Sequence, residues 1–246
     1  LVPGDTNMAF DIFVRDRVAG TTERVSVDGA GSQANGGFNG LYGFTMSPDG
    51  RFVAFYCEAN NLVLGDTNGG AAIILRHRVA GATERISVDS LGVQGDGRSR
   101  YPSLSANGRI VAFDSDSSNL VSGDTNGVSD IFVHDRTWGS TERISVSSAG
   151  IEGNGYSGAA AVSGDGRYVA FYSSASNLVT GDSNGALDVF VRDRLTSSTE
   201  RVSLAPGGLQ ANSHSSWLSI SSDGRFVSFT SGASNLIAGD TNGTWD

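Results

Sequence analysis

Short apolar runs broken by polar, glycine-rich segments dominate the chain, and within the runs apolar residues alternate with the period of a strand. Residues 101–146 show the pattern in full. "YPSLSA" (101–106) is followed by Asn107-Gly108 and then by "RIVAFDS" (109–115). After a long polar break come "DIFVHDR" (130–136) and, across a short turn, "STERISV" (140–146). An Asn-Gly or Asp-Gly between two such runs predicts a two-residue hairpin, because both central residues adopt positive φ. We label the four expected strands A, B, C and D. No run has a 3.6-residue apolar period, so helices are not expected.

The unit recurs. "GDTN", or "GDSN", starts at Gly4, Gly65, Gly123, Gly181 and Gly239, at intervals of 61, 58, 58 and 58 residues. "TER" at Thr22, Thr83, Thr141 and Thr199 keeps the same phase, as does "DGR" or "NGR" at Asp49, Asn107, Asp165 and Asp223. Self-similarity at such a period means a solenoid, a propeller or an array. Four antiparallel strands per repeat, with β-branched and aromatic residues on both faces, describe a propeller blade between two neighbours. The expected fold is therefore all-β, a β-propeller of four-stranded antiparallel blades of about 58 residues. The repeats run over about 4–64, 65–122, 123–180 and 181–238, with the start of a fifth GDTNG loop, in a single domain over 1–246. The first residues supply strands C and D alone and the last supply A and B alone. Pairing of these ends would complete a fourth blade and close the ring; an unclosed ring would be open to self-association or would belong to a longer array.

Composition narrows the functional classes. Glycine is abundant, at 34 copies, as many tight turns require. The net charge of −9 in 246 residues, with arginine as the only strongly basic residue type, disfavours a nucleic-acid partner. The longest apolar runs are far too short to insert in a membrane. Cys57 is the single cysteine and stands where the other repeats have serine, so an internal disulfide is excluded. His77, His134 and His214 lie in different repeats without metal-ligand spacing.

"SPDGRFVAF" (47–55), "SGDGRYVAF" (163–171) and the following "DIFVRDR" resemble the TolB-like, WD-type β-propeller repeat of bacterial proteins, over essentially the whole chain. That resemblance implies a propeller. It also brings a range of roles, since the superfamily includes a periplasmic scaffold protein, propeller domains of peptidases and some polysaccharide lyases. A secreted or periplasmic location goes with it. The B–C and D–A connections are longer here than in the usual repeat.

Residues present in every repeat are expected to maintain the blade. Glu23, Glu84, Glu142 and Glu200 on strand D lie across a short turn from Arg17, Arg78, Arg136 and Arg194 on strand C, predicting a cross-strand ion pair within each hairpin. The GDTN loop admits two readings. Asp66, Asn68, Asp124, Asn126, Asp130, Asp182, Asn184 and Asp188 are oxygen ligands of the kind calcium takes. The same residues suit Asx turns and loop-to-loop hydrogen bonds. Ala72 in place of the last Asp, and a loop two residues shorter than the usual calcium motif, favour turn chemistry. Asn35, Asp96, Asn154 and Asn212 on the D–A connection could join either arrangement. No cofactor is required, with calcium as the open option.

A single ligand breaks pseudo-symmetry, so the residues that differ between repeats matter most. They gather where strand A begins, in "GFNGLYG" (37–43), "RSRY" (98–101), "YSGA" (156–159) and "HSSW" (214–217). Phe38, Tyr42, Tyr101, Tyr156 and Trp217 supply rings there, and Arg98, Arg100 and His214 supply polar heads. On a concave face they suit capture of a carbohydrate or a protein ligand. A two-residue turn at Asn107-Gly108 would set Tyr101 opposite Asp114 and bring Asp116 close to Arg98. Glu58, Asp114, Asp116 and Arg100, with His214, are the acid–base candidates. The residues thus favour a binding or scaffolding module acting through its long-loop face. The alternatives are a polysaccharide lyase or hydrolase with its site at the axis, and a purely structural part of an array.

Overall fold

The computed structural model describes residues 2, 4–38, 43–67 and 70–246. Tyr42 and Asn68, named above, lie outside them. All regular structure among the described residues is β. Three complete blades follow one another: β3 (Phe44–Met46) to β6 (Ala82–Arg85) through β4 (Phe52–Cys57) and β5 (Ala72–His77); β7 (Ser99–Leu104), β8 (Ile110–Ser115), β9 (Asp130–Asp135) and β10 (Ser140–Arg143); and β11 (Ser157–Val162), β12 (Tyr168–Ser173), β13 (Asp188–Asp193) and β14 (Ser198–Arg201). Each is a four-stranded antiparallel sheet in chain order. Before them stands the pair β1 (Phe13–Asp16) and β2 (Thr21–Arg24). After them come the small pair β15 (Leu204–Ala205) and β16 (Leu209–Gln210) and the pair β17 (Ser215–Ile220) and β18 (Val227–Ser231). The β15–β16 pair was not anticipated. It marks a fold-back of the long D–A connection that the other repeats make with single bridges, Val27 to Gln33, Val88 to Gln94 and Val146 to Glu152.

The core lies between blades. Strand B of each blade is buried on both faces, and its alternation assigns the faces. Val111 and Phe113 of β8 pack with Phe52, Tyr56, Ile73 and Leu75 of the preceding blade. Ile110 and Ala112 pack with Val169, Phe171 and Phe190 of the following one. Asp114 continues the second series and so occupies a core position toward the third blade.

Four expectations need correction. At the A–B hairpin only the glycine adopts positive φ (Gly108, φ 67°), and the Gly108 N–H closes a turn onto Ser105 O at 2.9 Å. Asn107 instead accepts the Arg109 N–H at 3.0 Å through its side chain, which an Asn in the left-handed region of a two-residue turn would not require. The register beyond also differs. Leu104 and Ser103 face Val111 and Ala112, but a bulge follows, and it is Arg100, not Tyr101, that pairs with Asp114. Tyr101 is the bulge residue, with φ 51°; Ala159 (φ 48°) and Trp217 (φ 47°) repeat it in the next two units, and Gly43 (φ 81°) holds that place in the first.

The third correction concerns the outer ion pairs. Glu84 binds Arg136 of the next blade, with Nε and Nη2 at 2.8 and 2.6 Å, and Glu142 binds Arg194 at 2.7 Å; Arg78 makes the same bond to Glu23. The pairs span blades rather than hairpins because strand D of one blade lies against the C-strand end of its neighbour. Threonines two links away do likewise: Thr141 Oγ1 donates to Val88 O at 2.5 Å and Thr199 Oγ1 to Val146 O at 2.6 Å.

Finally, the two half-blades do not pair with each other among the described residues: β1–β2 and β17–β18 are separate sheets. Asp246 exchanges both backbone hydrogen bonds with Ser231, at 3.0 and 3.1 Å, as Asp188 pairs with Ser173 in the preceding blade. It belongs to the same phase of the repeat as Asp188. The position beside β18 that ring closure would give to Asp11 is therefore taken by the chain's own continuation.

Candidate functional site

The GDTN loops and the D–A fold-backs emerge on one face and bind one another. In the third loop, Asn126 Oδ1 accepts the Val128 N–H at 2.9 Å, an Asx turn, while its amide donates to Asp130 Oδ2 at 2.8 Å and to Gly153 O at 3.0 Å. Asn184 repeats all three contacts with Ala186, Asp188 and Ala211. Asn35, Asp96, Asn154 and Asn212 do not reach these loops. They bind the B–C loop of the next blade, where their backbone N–H groups donate to Asn61, Asn119, Asn177 and Asn235.

Two residues not singled out from the sequence complete the loop: the arginine of "TER" and the Gln or Glu that follows the D–A fold-back turn. Asp124, Asp130 and Glu152 bring carboxylate oxygens within 4.8 Å of one another, a spacing suited to a cation. The Arg143 guanidinium sits among them, 3.6 Å from Asp124 and 3.9 Å from Asp130 and bonded to Glu152, with only 7% of its side chain exposed. Arg24, Arg85 and Arg201 occupy the same place against Asp5 and Asp11, Asp66, and Asp182 and Asp188. Gln33, Gln94 and Gln210 stand where the third loop has Glu152, each hydrogen-bonded to its own arginine. Burial pushes the Asp130 carboxyl up to about 6 and raises Asp124 as well. The pairing of the GDTN aspartate with the "TER" arginine could have been suspected from phase alone, since both recur in every repeat, whereas the third acid belongs to this loop.

The residues that break the repeat fall at the loop-face end of the inner strands. Arg100, directly across from Asp114, gives its guanidinium to Asp116, with Nη2 to Oδ2 at 2.7 Å. Asp116 also accepts the Arg98 N–H. Asp114 is completely buried. Its Oδ2 has a weak contact with Ser129 Oγ at 3.4 Å, and its Oδ1 has no hydrogen-bond partner. Burial pushes this carboxyl up to about 7 against the opposing pull of Arg100. Tyr156 of the next blade lies close enough to feel both charges, and its hydroxyl, 3.4 Å from that of Tyr172, is raised chiefly by burial.

The remaining residues are placed as follows. Glu58 is exposed and accepts a hydrogen bond from Tyr56 of its own blade. Phe38 packs edge-on against Phe44, centroids 5.8 Å apart, and joins the first inter-blade core. His214 is exposed, but its Nδ1 accepts the Leu187 N–H at 2.8 Å and so holds the B–C loop. Arg98 is exposed, and Trp217, at the bulge, is 77% exposed. The structure therefore brings Arg98, Arg100, Asp114, Asp116 and Tyr156 together and leaves Glu58, His214 and Trp217 on other blades. Grooves of about 680 and 290 Å³ follow the seams between loops, Ser147–Ile151 against Ser176–Gly181 and Asp89–Leu91 against Asn119–Ser122. They lie apart from the residues just named.

The sandwiched four-stranded blades and paired loops define a β-propeller. Among solved structures, a putative TolB from Agrobacterium tumefaciens superposes with a TM-score of 0.51 at 20% identity, over 86% of this chain and 59% of that one. TolB from Acinetobacter baumannii gives 0.49 at 18% identity, over 89% and 42%, and the β-propeller domain of the Trilobed protease from Pyrococcus furiosus gives 0.39 at 15%, over 62% and 39%. The fold is a β-propeller like that of the Agrobacterium structure, and the chain spans less than two thirds of that structure's length. No family model matches the chain, and no curated protein sequence matches it.

Proposed function

We propose that this chain is a binding or scaffolding module that recognises a protein or carbohydrate ligand through the inner part of its long-loop face. One observation carries the reading. The residues common to all repeats are consumed in holding blades and loops together, whereas equivalent positions at the loop-face end of strand A carry different, solvent-reaching side chains. The place of Arg98 is taken by Tyr156 and His214 in the next two units, and that of Tyr101 by Ala159 and Trp217. A bulge re-aims the second position in three of the units, and a left-handed bulge residue as large as tryptophan costs energy that packing of an exposed ring does not return. Location outside the cytoplasm, secreted or periplasmic, accompanies this reading.

Catalysis on a polysaccharide has less support. Asp114, the acid with the shifted proton affinity, is sealed from solvent, and His214 Nδ1 is already engaged by a backbone N–H. The test of the binding reading is a side-by-side screen of the wild type, Arg98→Ala and Trp217→Ala against a glycan array and by cross-linking to proteins of the source cell. We expect both variants to fold normally and to lose at least one ligand that the wild type retains. Ligands bound identically by all three proteins would overturn it.

The half-blades β1–β2 and β17–β18, which form separate sheets among the described residues, favour a second, structural reading as part of an array. An exposed, unpaired strand is a template for another chain. Sedimentation equilibrium is expected to show an apparent mass that rises with concentration above the 25.5 kDa of one chain. A concentration-independent monomer would exclude it.

A further inference from the structure

We propose that Asp114 and Asp116 compete for Arg100, and that a single proton on Asp114 decides which of them the guanidinium holds. Arg100 and Asp114 are Cα partners across β7 and β8, so their side chains leave the sheet on the same face. Asp116, two residues on, shares that face. The nearest opposite charge to Arg100 by register is thus Asp114, yet the guanidinium reaches past it to Asp116 at 2.7 Å.

A protonated Asp114 accounts for this. A neutral acid makes no strong claim on an arginine, and its Oδ1 tolerates having no partner in a way that a buried carboxylate would not. The groups that face it are Arg100 from β7, Asp116 beyond the end of its own strand, Ser129 ahead of β9 and Tyr156 from the next blade. Only Arg100 among these carries positive charge. Once Asp114 ionises, the buried charge draws Arg100 inward, and Asp116 is left with the Arg98 N–H alone. Arg98, Arg100 and Asp116 all lie at the loop-face rim, so the exchange remodels the same ground that carries the variable residues. Burial holds the Asp114 carboxyl near 7, which sets the exchange around neutrality.

The experiment is an NMR titration of the full ¹⁵N-labelled chain from pH 5 to 9, following the Arg100 Nε–Hε signal, assigned by its loss in Arg100→Gln. The wild type should show one inflection near neutral pH, absent in Asp114→Asn, which is isosteric and keeps the fold. In Asp116→Asn the competitor is gone, and the inflection should fall by about one pH unit or more, the effect of a released opposite charge on a neighbouring acid. A signal that does not move in the wild type overturns the proposal. So does an inflection that persists in Asp114→Asn, or one that stays in place in Asp116→Asn.

Discussion

Asp114→Asn should melt several degrees higher than the wild type at pH 8.5 and at nearly the same temperature at pH 5. The sign follows from proton linkage. In the folded chain the carboxyl is pushed up to about 7 by burial, whereas in the unfolded chain it has the ordinary carboxylate value. Between those two values the folded state binds the extra proton, so this group's contribution to stability declines as pH rises and levels off above about 7. Three pH units correspond to about 4 kcal/mol at most, and each kcal/mol moves a domain of this size by about 2–4 °C. Asparagine removes the charge but still buries a polar group, so about half of that gain, roughly 5 °C, is the expected net result. Differential scanning calorimetry of both proteins across the pH range reads the difference directly. Two parallel melting profiles would mean that Asp114 does not titrate between pH 5 and 8.5.

Arg143→Ala should be the most damaging single substitution at the loops, and the only form of the protein to respond to calcium. Removing the guanidinium leaves Asp124, Asp130 and Glu152 with no counter-charge in a mostly buried cluster. Loss of one partner from a buried ionic group costs about 3–5 kcal/mol, which here means a fall of about 10 °C or more. The arginine is the loop's built-in cation, which is why the wild type should melt at the same temperature in millimolar calcium and in chelator. In Arg143→Ala the three carboxylates have room for a divalent ion, and a site occupied at about 100 times its dissociation constant restores roughly 2.7 kcal/mol. If the wild type itself gains several degrees from calcium, the loops take a metal in addition to the arginine, and their closure by a side chain alone is wrong.

Much of the fold was readable because it is written several times. Any single "SGDGRYVAF" could be a hairpin in many proteins, but four in phase, three of them with two further strands, point to blades, and strands B and C fall almost where the pattern places them. What could not be read were contacts between repeats. Glu84 is six residues from the expected hairpin partner Arg78, and only the stacking of sheets reveals that Arg136 of the next blade lies closer. The bulge at Tyr101 was hidden for a different reason. Tyrosine gives no hint of positive φ, and the one visible clue was Gly43 in the same column. In the candidate site, Asp114 was noticed as one of an acid set with Glu58 and Asp116 at the end of strand B. Its burial was not foreseen, since a charged residue at the end of a strand is ordinarily solvated. The "TER" arginine was missed because only the glutamate before it was given a partner, when the arginine fills the acidic loop beside it.

The Glu–Arg links at the outer edge also give a row of blades a direction. Each blade offers a glutamate to the one after it and an arginine to the one before, as Glu84 does to Arg136 and as Arg136 receives from Glu84. A break anywhere in such a row leaves an acidic face on one side and a basic face on the other. Two acidic faces, or two basic ones, would repel where the proper pair attracts, so a blade turned end for end meets its neighbour with the wrong sign. The pairs thus favour head-to-tail addition over a reversed blade, by the modest amount that part-exposed ion pairs supply.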